Sequence, residues 1–149
     1  MNTEKQNFSG LNREIIACVL GQQARFNHLK SEHFDPESLW NRVDGDLGLL
    51  RELVELFAAE VPGMLARIEA AIKDGSASEL EKASHKIKGS VLQFSAHAAV
   101  AIALELEENG RLGSIGGAEA LLTKLTQEVD LLQQTLRTMV GGEAGRFQE

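Results

Sequence analysis

The chain has 149 residues, 43% of them hydrophobic and 25% charged, and a formal net charge of -7. That length fits one domain, large enough to bury about two-thirds of its unfolded surface. The acidic balance argues against nucleic acid or an anionic membrane as the main partner, since both call for a basic surface.

The first predicted element runs from about Ser9 to Ser31, with Leu11, Ile15, Cys18, Val19, Phe26 and Leu29 at helical spacing. "SEHFDPES" breaks that pattern. Asp35-Pro36 then starts a short helix over Pro36–Val43. A long helix follows, in which Leu47, Leu50, Val54, Phe57, Val61, Leu65, Ile68 and Ile72 form one stripe. Pro62 lies inside it and predicts a kink. Gly75 ends it, and Ser76 or Ser78 caps the next helix, Ala77 to Phe94. A further helix spans Ala98 to Asn109 and stops in "NGR". After "LGSIGG" a last helix covers Ala118 to Val140, and "GGEAGRFQE" reads as a disordered tail.

No run of alternating β-branched and aromatic residues competes with this reading. The expected fold is all-α: an antiparallel four-helix bundle over residues 34–140 with short connections. Residues 1–33 form an additional N-terminal helical segment, packed on the bundle or on a second copy. Residues 141–149 form the tail. Cys18 is the only cysteine, which fits a reducing compartment. No apolar run approaches the roughly 18 residues of a membrane span, and "MNTEKQNFSG" lacks the apolar core of a signal peptide. A soluble cytoplasmic protein, without membrane or nucleic-acid contact, is the expectation.

The stretch "ASHKIKGS", Ala83 to Ser90, carries the chemistry. At roughly 100° per residue, Leu80, Ala83, Ile87, Val91 and Phe94 share the core stripe of its helix. His85 falls almost opposite, with Gly89 one turn on and Leu92 two turns on. Mid-helix glycine costs about 1 kcal/mol against alanine. Its placement beside an outward histidine leaves room for an approaching group. Lys82, Lys86 and Lys88 make the neighbourhood basic, and a lysine at i+3 can reach an anion on His85. In the following helix Glu107 lies within the apolar arc, so its carboxylate needs a partner. A hydrogen bond to imidazole Nδ1–H would fix the tautomer and leave Nε2 free as a nucleophile.

These residues resemble a histidine-containing phosphotransfer (HPt) domain of bacterial phosphorelays. The family pattern His-x-x-Lys-Gly followed by a small residue stands here as His85, Lys88, Gly89 and Ser90. "FDPESLWNRVDGDLGLLRELVELFAAEVPGML" is similar to the family's entry helix and long second helix, and "LELEENGR" to the end of the helix after the motif. The resemblance covers roughly Phe34 to Met139. One departure is Gln93-Phe94-Ser95-Ala96, where the family often has Asn-Leu-Gly-Ala.

The resemblance implies phosphorylation of His85, with Lys88 near the phosphoryl oxygens and Glu107 on the imidazole. Gly89, Leu92, Lys82 and Lys86 would form the partner-docking face. It implies receiver domains of a hybrid sensor kinase or response regulator as partners. No cofactor is expected on this chain, and magnesium would belong to the receiver. No glycine-rich nucleotide loop is present, so a kinase activity of its own is not expected. A helical adaptor or dimerisation module without chemistry is the alternative; separately, the N-terminal helix is a candidate surface for a homo-oligomer. The histidines His28, His33, His85 and His97 lack metal-binding spacing, and no metal site is expected.

Overall fold

The computed structural model describes residues 34–148, with the backbone alone for residues 141–148. The N-terminal segment expected over residues 1–33 lies outside the described residues. Among the described residues there are five helices and no strand: α1 (Pro36–Arg42), α2 (Leu47–Asp74), α3 (Ala77–Leu92), α4 (His97–Leu112) and α5 (Ala118–Gln148).

Local chemistry explains each boundary. The Asp35 side chain accepts from Ser38 N–H at 3.1 Å and Pro36 opens α1, as a cap and an N1 proline should. Asp44 and Gly45 then turn the chain with φ of 59° and 71°. Asp46 caps α2 by accepting from Leu49 N–H at 3.0 Å. Gly75, at φ 67°, ends α2 in the left-handed conformation that glycine adopts without a Cβ clash. Ser76, one of the two expected caps, accepts from Glu79 N–H at 3.2 Å and starts α3.

Three helices depart from expectation by two residues or more at an end. The helix after the motif starts at His97, one residue before the expected Ala98. It continues through "NGR" to Leu112, where Gly113 at φ 76° ends it. The last helix continues past Val140 to Gln148, over residues expected to be a disordered tail. Glycine lowers helix propensity by about 1 kcal/mol per residue but, unlike proline, keeps the N–H that continues the ladder. The third difference is α3 itself, which closes at Leu92 two residues early. Phe94 is buried beyond it, and Ser95 takes a left-handed φ of 56°. That is the position where the related pattern has glycine. The hydroxyls of Ser95 and Ser38 lie 3.1 Å apart, tying α1 to the α3–α4 turn.

α2 runs unbroken across Pro62. Pro62 and Ala58 are both exposed. The carbonyl that loses its i+4 donor therefore lies on the solvent side, where water can satisfy it.

The helices α2 to α5 form a ring of neighbours, each packed on the one before it, with α5 closing on α2. Cross-helix pairs give their directions. From α2 to α3 and the turn just after it they run Arg67–Glu79, Met64–Ser90 and Phe57–Phe94, falling along one segment while rising along the other. The pair is antiparallel. Leu50, Val54, Phe57, Val61 and Ile68 face Leu80, Ile87 and Val91 in the core, with Ala99, Ala103 and Leu106 of α4 and Leu125, Val129, Leu132 and Leu136 of α5. Phe34, Leu39 and Trp40 are buried with them at the α1 end.

The most extensive contact is between α3 and α4. Gly110 is what permits it. A Cβ at Gly110 would stand 2.5 Å from Glu81 N and 2.8 Å from Ala77 O, both backbone atoms that cannot swing away. By contrast, a Cβ at Gly89 would meet nothing within 4 Å. Two mid-helix glycines should therefore respond in opposite directions to alanine. Gly110→Ala is expected to lower stability by roughly 1–3 kcal/mol through overpacking, and Gly89→Ala to raise it by up to about 1 kcal/mol through propensity. Urea denaturation of the two variants measures this. The same sign for both would remove the close-approach explanation of Gly110.

Candidate functional site

The α3 core stripe is buried as expected: Leu80, Ile87 and Val91 are fully enclosed, and Ala83 and Phe94 nearly so. That fixes the rotation of α3 and leaves the His85 side chain 69% exposed on the opposite side. Gly89 and Leu92 follow it on the open face, and Lys82 and Lys86 are exposed beside it.

Glu107 reaches this face from α4. Its Oε2 lies 2.7 Å from His85 Nδ1, the hydrogen bond expected from its inward position. The carboxylate accepts, so Nδ1 carries the proton and Nε2 holds the lone pair. Among the described residues nothing engages Nε2. The geometry thus leaves Nε2 of an exposed ring without a partner among the described residues, with Nδ1 held from behind.

The placement of Lys88 was not legible in the sequence. Rather than standing free beside His85, it lies against the bundle, 25% exposed, with Nζ 2.7 Å from Glu107 Oε1. Glu107 is itself only 17% exposed and holds both α3 side chains, one on each oxygen. Oε1 is shut off from water, with Lys88 as its counter-charge. The ion pair with Lys88 is the main cause holding the Glu107 carboxyl below its ordinary pKa; burial opposes it, and the hydrogen bond with His85 adds to it. At the next turn of α4, Glu108 pairs with Arg111.

His97 is exposed at the first residue of α4, away from this cluster in sequence, while His28 and His33 lie outside the described residues. Two contributors escaped sequence reasoning. Gly110 looked like part of a turn, and Ser95 replaced an expected glycine without changing the local backbone sign. No helix among the described residues is long and apolar enough to cross a membrane.

The lowered carboxyl pKa makes a signed prediction. A group that binds its proton less readily when folded stabilises the fold above its unfolded pKa, and that stabilisation is lost as pH falls through the folded value. Glu107→Gln should therefore be less stable than the parent at neutral pH, with the gap narrowing as pH falls through and below the ordinary carboxylate range. Denaturation midpoints of both proteins across that range test it. A gap independent of pH would mean that the charge of Glu107 does not support the fold.

Comparison with protein families matches residues 52–135 to the Hpt domain, more than half of the chain. No curated protein matches, and no solved structure matches. The matched residues contain His85, Lys88, Gly89 and Glu107, together with most of the helices that position them. With its helical bundle and its exposed, carboxylate-backed histidine, the chain belongs to the Hpt domain family, the histidine phosphotransfer domains of phosphorelay signalling.

Proposed function

We propose that the chain is a phosphorelay intermediate that accepts a phosphoryl group on His85 Nε2 from a receiver-domain aspartate and passes it to the aspartate of another receiver. The observation that carries this reading is the 2.7 Å contact of Nδ1 with Glu107 behind a ring whose Nε2 faces solvent. In the first step the Nε2 lone pair attacks phosphorus. The bond from phosphorus to the aspartyl oxygen breaks, and the carboxylate leaves with the electron pair. The ring then carries phosphate on Nε2 and a proton on Nδ1, and so is cationic. The Glu107 carboxylate is placed to stabilise that cation. In the second step an aspartate oxygen attacks phosphorus and the nitrogen–phosphorus bond breaks. The electron pair returns to Nε2, and the neutral ring with its proton on Nδ1 is restored.

Lys88 is proposed to offset phosphoryl charge, sharing its ammonium between Glu107 and the incoming group. An oxyanion donor in a dry site is worth about 2.7–4 kcal/mol. At this exposed face Lys88→Ala should slow transfer by less. A cytoplasmic location belongs to the same reading, since receiver partners and nucleotide-driven phosphorelay chemistry are found there.

The direct test is His85→Gln. It should abolish phosphoryl acceptance from a phosphorylated receiver while changing stability by no more than about 0.5 kcal/mol, as for other exposed substitutions. The label on the parent protein should be lost in acid and kept in alkali, as a nitrogen–phosphorus bond requires and an acyl phosphate does not. Phosphate retained by the variant would move the site elsewhere.

Gly89 gives an independent check on access. Gly89→Gln should fold as the parent does, since nothing lies within 4 Å of its Cβ position. It should transfer poorly, because the new side chain fills the space beside the imidazole. Normal transfer by this variant would show that the glycine does not serve approach.

A further inference from the structure

Two side-chain oxygens among the described residues are shut off from water and lack a well-formed hydrogen bond: Glu107 Oε1 and Ser84 Oγ. Oε1 has the Lys88 ammonium 2.7 Å away. Ser84 Oγ has no partner, although the residue is fully buried and directly precedes His85. A hydroxyl within a helix commonly answers burial by donating to the carbonyl four residues back. Thr126 and Thr135 of α5 do so, to Leu122 O and Leu131 O at 2.9 Å each. Ser84 does not use the carbonyl of Leu80 in this way. An unmatched hydroxyl is unfavourable in the interior, and alanine would fill the same place without it.

Ser84 sits on the seam between α3 and α4. Glu81, Ser84 and Lys88 are spaced three and four residues apart, so they share one side of α3. Glu81 faces Gly110 of α4, and Lys88 holds Glu107. The same contacts give the level of each residue. Gly110 meets the backbone at Ala77 and Glu81, while Glu107, three residues earlier on α4, meets His85 and Lys88 further along α3. The two helices are therefore antiparallel. Three residues are ~4.5 Å of rise, which sets the backbone of Glu107 level with the turn Leu80–Ser84. Its side chain runs past Ser84 on the way to Lys88.

We propose that Ser84 is a positioning residue whose hydroxyl turns to donate to Glu107 Oε1 when Lys88 swings to the phosphoryl group. The proposal rests on the phosphocarrier reading and adds the group that keeps the carboxylate in place during transfer. With Lys88 on Oε1 the resting site needs no second donor there, and Ser84 Oγ stands idle. Once the ammonium meets phosphoryl oxygens, Oε1 loses the cation beside it, and water does not reach that oxygen. A buried carboxylate oxygen left bare is costly. It also weakens the hold on Oε2, whose place behind Nδ1 depends on the whole group staying put. A serine side chain turns about one bond with three staggered positions, so the exchange needs no backbone movement. The hydroxyl donates, the carboxylate accepts, and the contact of Nδ1 with Oε2 is kept. Of the other charged groups on this seam, Glu81 cannot donate and Arg111 is engaged by Glu108.

The test is a double-mutant cycle on Ser84 and Lys88, read by urea denaturation and by labelling of His85 with phosphoramidate, a small donor that needs no partner protein. In the parent background Ser84→Ala is expected to be as stable as the parent or more so, since it removes an idle buried hydroxyl. In the Lys88→Ala background that hydroxyl is the donor left for Oε1, so Ser84→Ala should lower stability. The sign of one substitution thus reverses with its neighbour. In the parent background Ser84→Ala should also slow labelling about 5-fold, the worth of one net hydrogen bond, despite its undiminished stability. A serine that only fills space would give the same stability change in both backgrounds and a parental labelling rate. Either result overturns the proposal. If phosphoramidate leaves His85 of the parent protein unlabelled, the carrier reading fails and the transfer role of Ser84 with it, while the stability cycle still decides whether the hydroxyl serves Oε1.

Discussion

The site depends on one carboxylate. Glu107 is largely buried, and a buried charge is tolerated only when it is paired. Both of its partners, His85 and Lys88, come from α3, each at 2.7 Å. This requirement fixes how α4 lies against α3. A slip of one helical turn, about 5.4 Å, would set Ala103 or Arg111 against the imidazole in place of Glu107. Neither side chain can accept a hydrogen bond from Nδ1. Gly110, one turn further along α4, holds the register by letting backbone meet backbone at Ala77 and Glu81.

α3 then serves two masters through its two faces. Its inner stripe is among the most buried surface in the molecule, which makes the helix rigid. Its outer face can accordingly carry residues that contribute nothing to folding. Gly89 costs about 1 kcal/mol of helix propensity, and the packed inner face supplies the margin to tolerate it. The Gly110→Ala and Gly89→Ala pair separates these two uses of glycine within one helix pair.

What could be read in advance follows from the kind of signal. Helix existence and the outward direction of His85 come from a periodicity repeated over many residues, so local exceptions do not spoil it. Glu107 was visible for the same reason, as a charge inside an apolar arc. Gly110 was not, because "NGR" carries the residues of a turn and only the approach of a second backbone gives its glycine another meaning. Ser95 was hidden by the reverse error. The backbone there is left-handed, as a glycine would make it, but a contact with Ser38, far away in the chain, accompanies serine in that conformation. A non-glycine residue in that region costs about 1–2 kcal/mol, which one hydrogen bond of about 1 kcal/mol largely offsets. The pairing of Lys88 also required tertiary knowledge. Its angle on α3 is intermediate between core and solvent, and only the position of α4 decides which way the side chain turns.

That pairing changes how the lysine should be understood. With the imidazole neutral, as attack through Nε2 requires, the charges of Glu107 and Lys88 balance before phosphorylation. Under the carrier reading, phosphorylation adds a cationic ring and a doubly negative phosphoryl group at the same place. The carboxylate then has a second cation on its Nδ1 side and depends less on Lys88. The ammonium in turn has a new anion one helical turn away. A single exchange of partners would thus leave each charge next to an opposite one in both states. Neither state has to bury an uncompensated charge, the condition under which a buried ion pair becomes costly. A neutral residue at position 107 could still orient the ring, but it would leave Lys88 unpaired before transfer. The carboxylate links the stability of the resting fold to the readiness of the histidine.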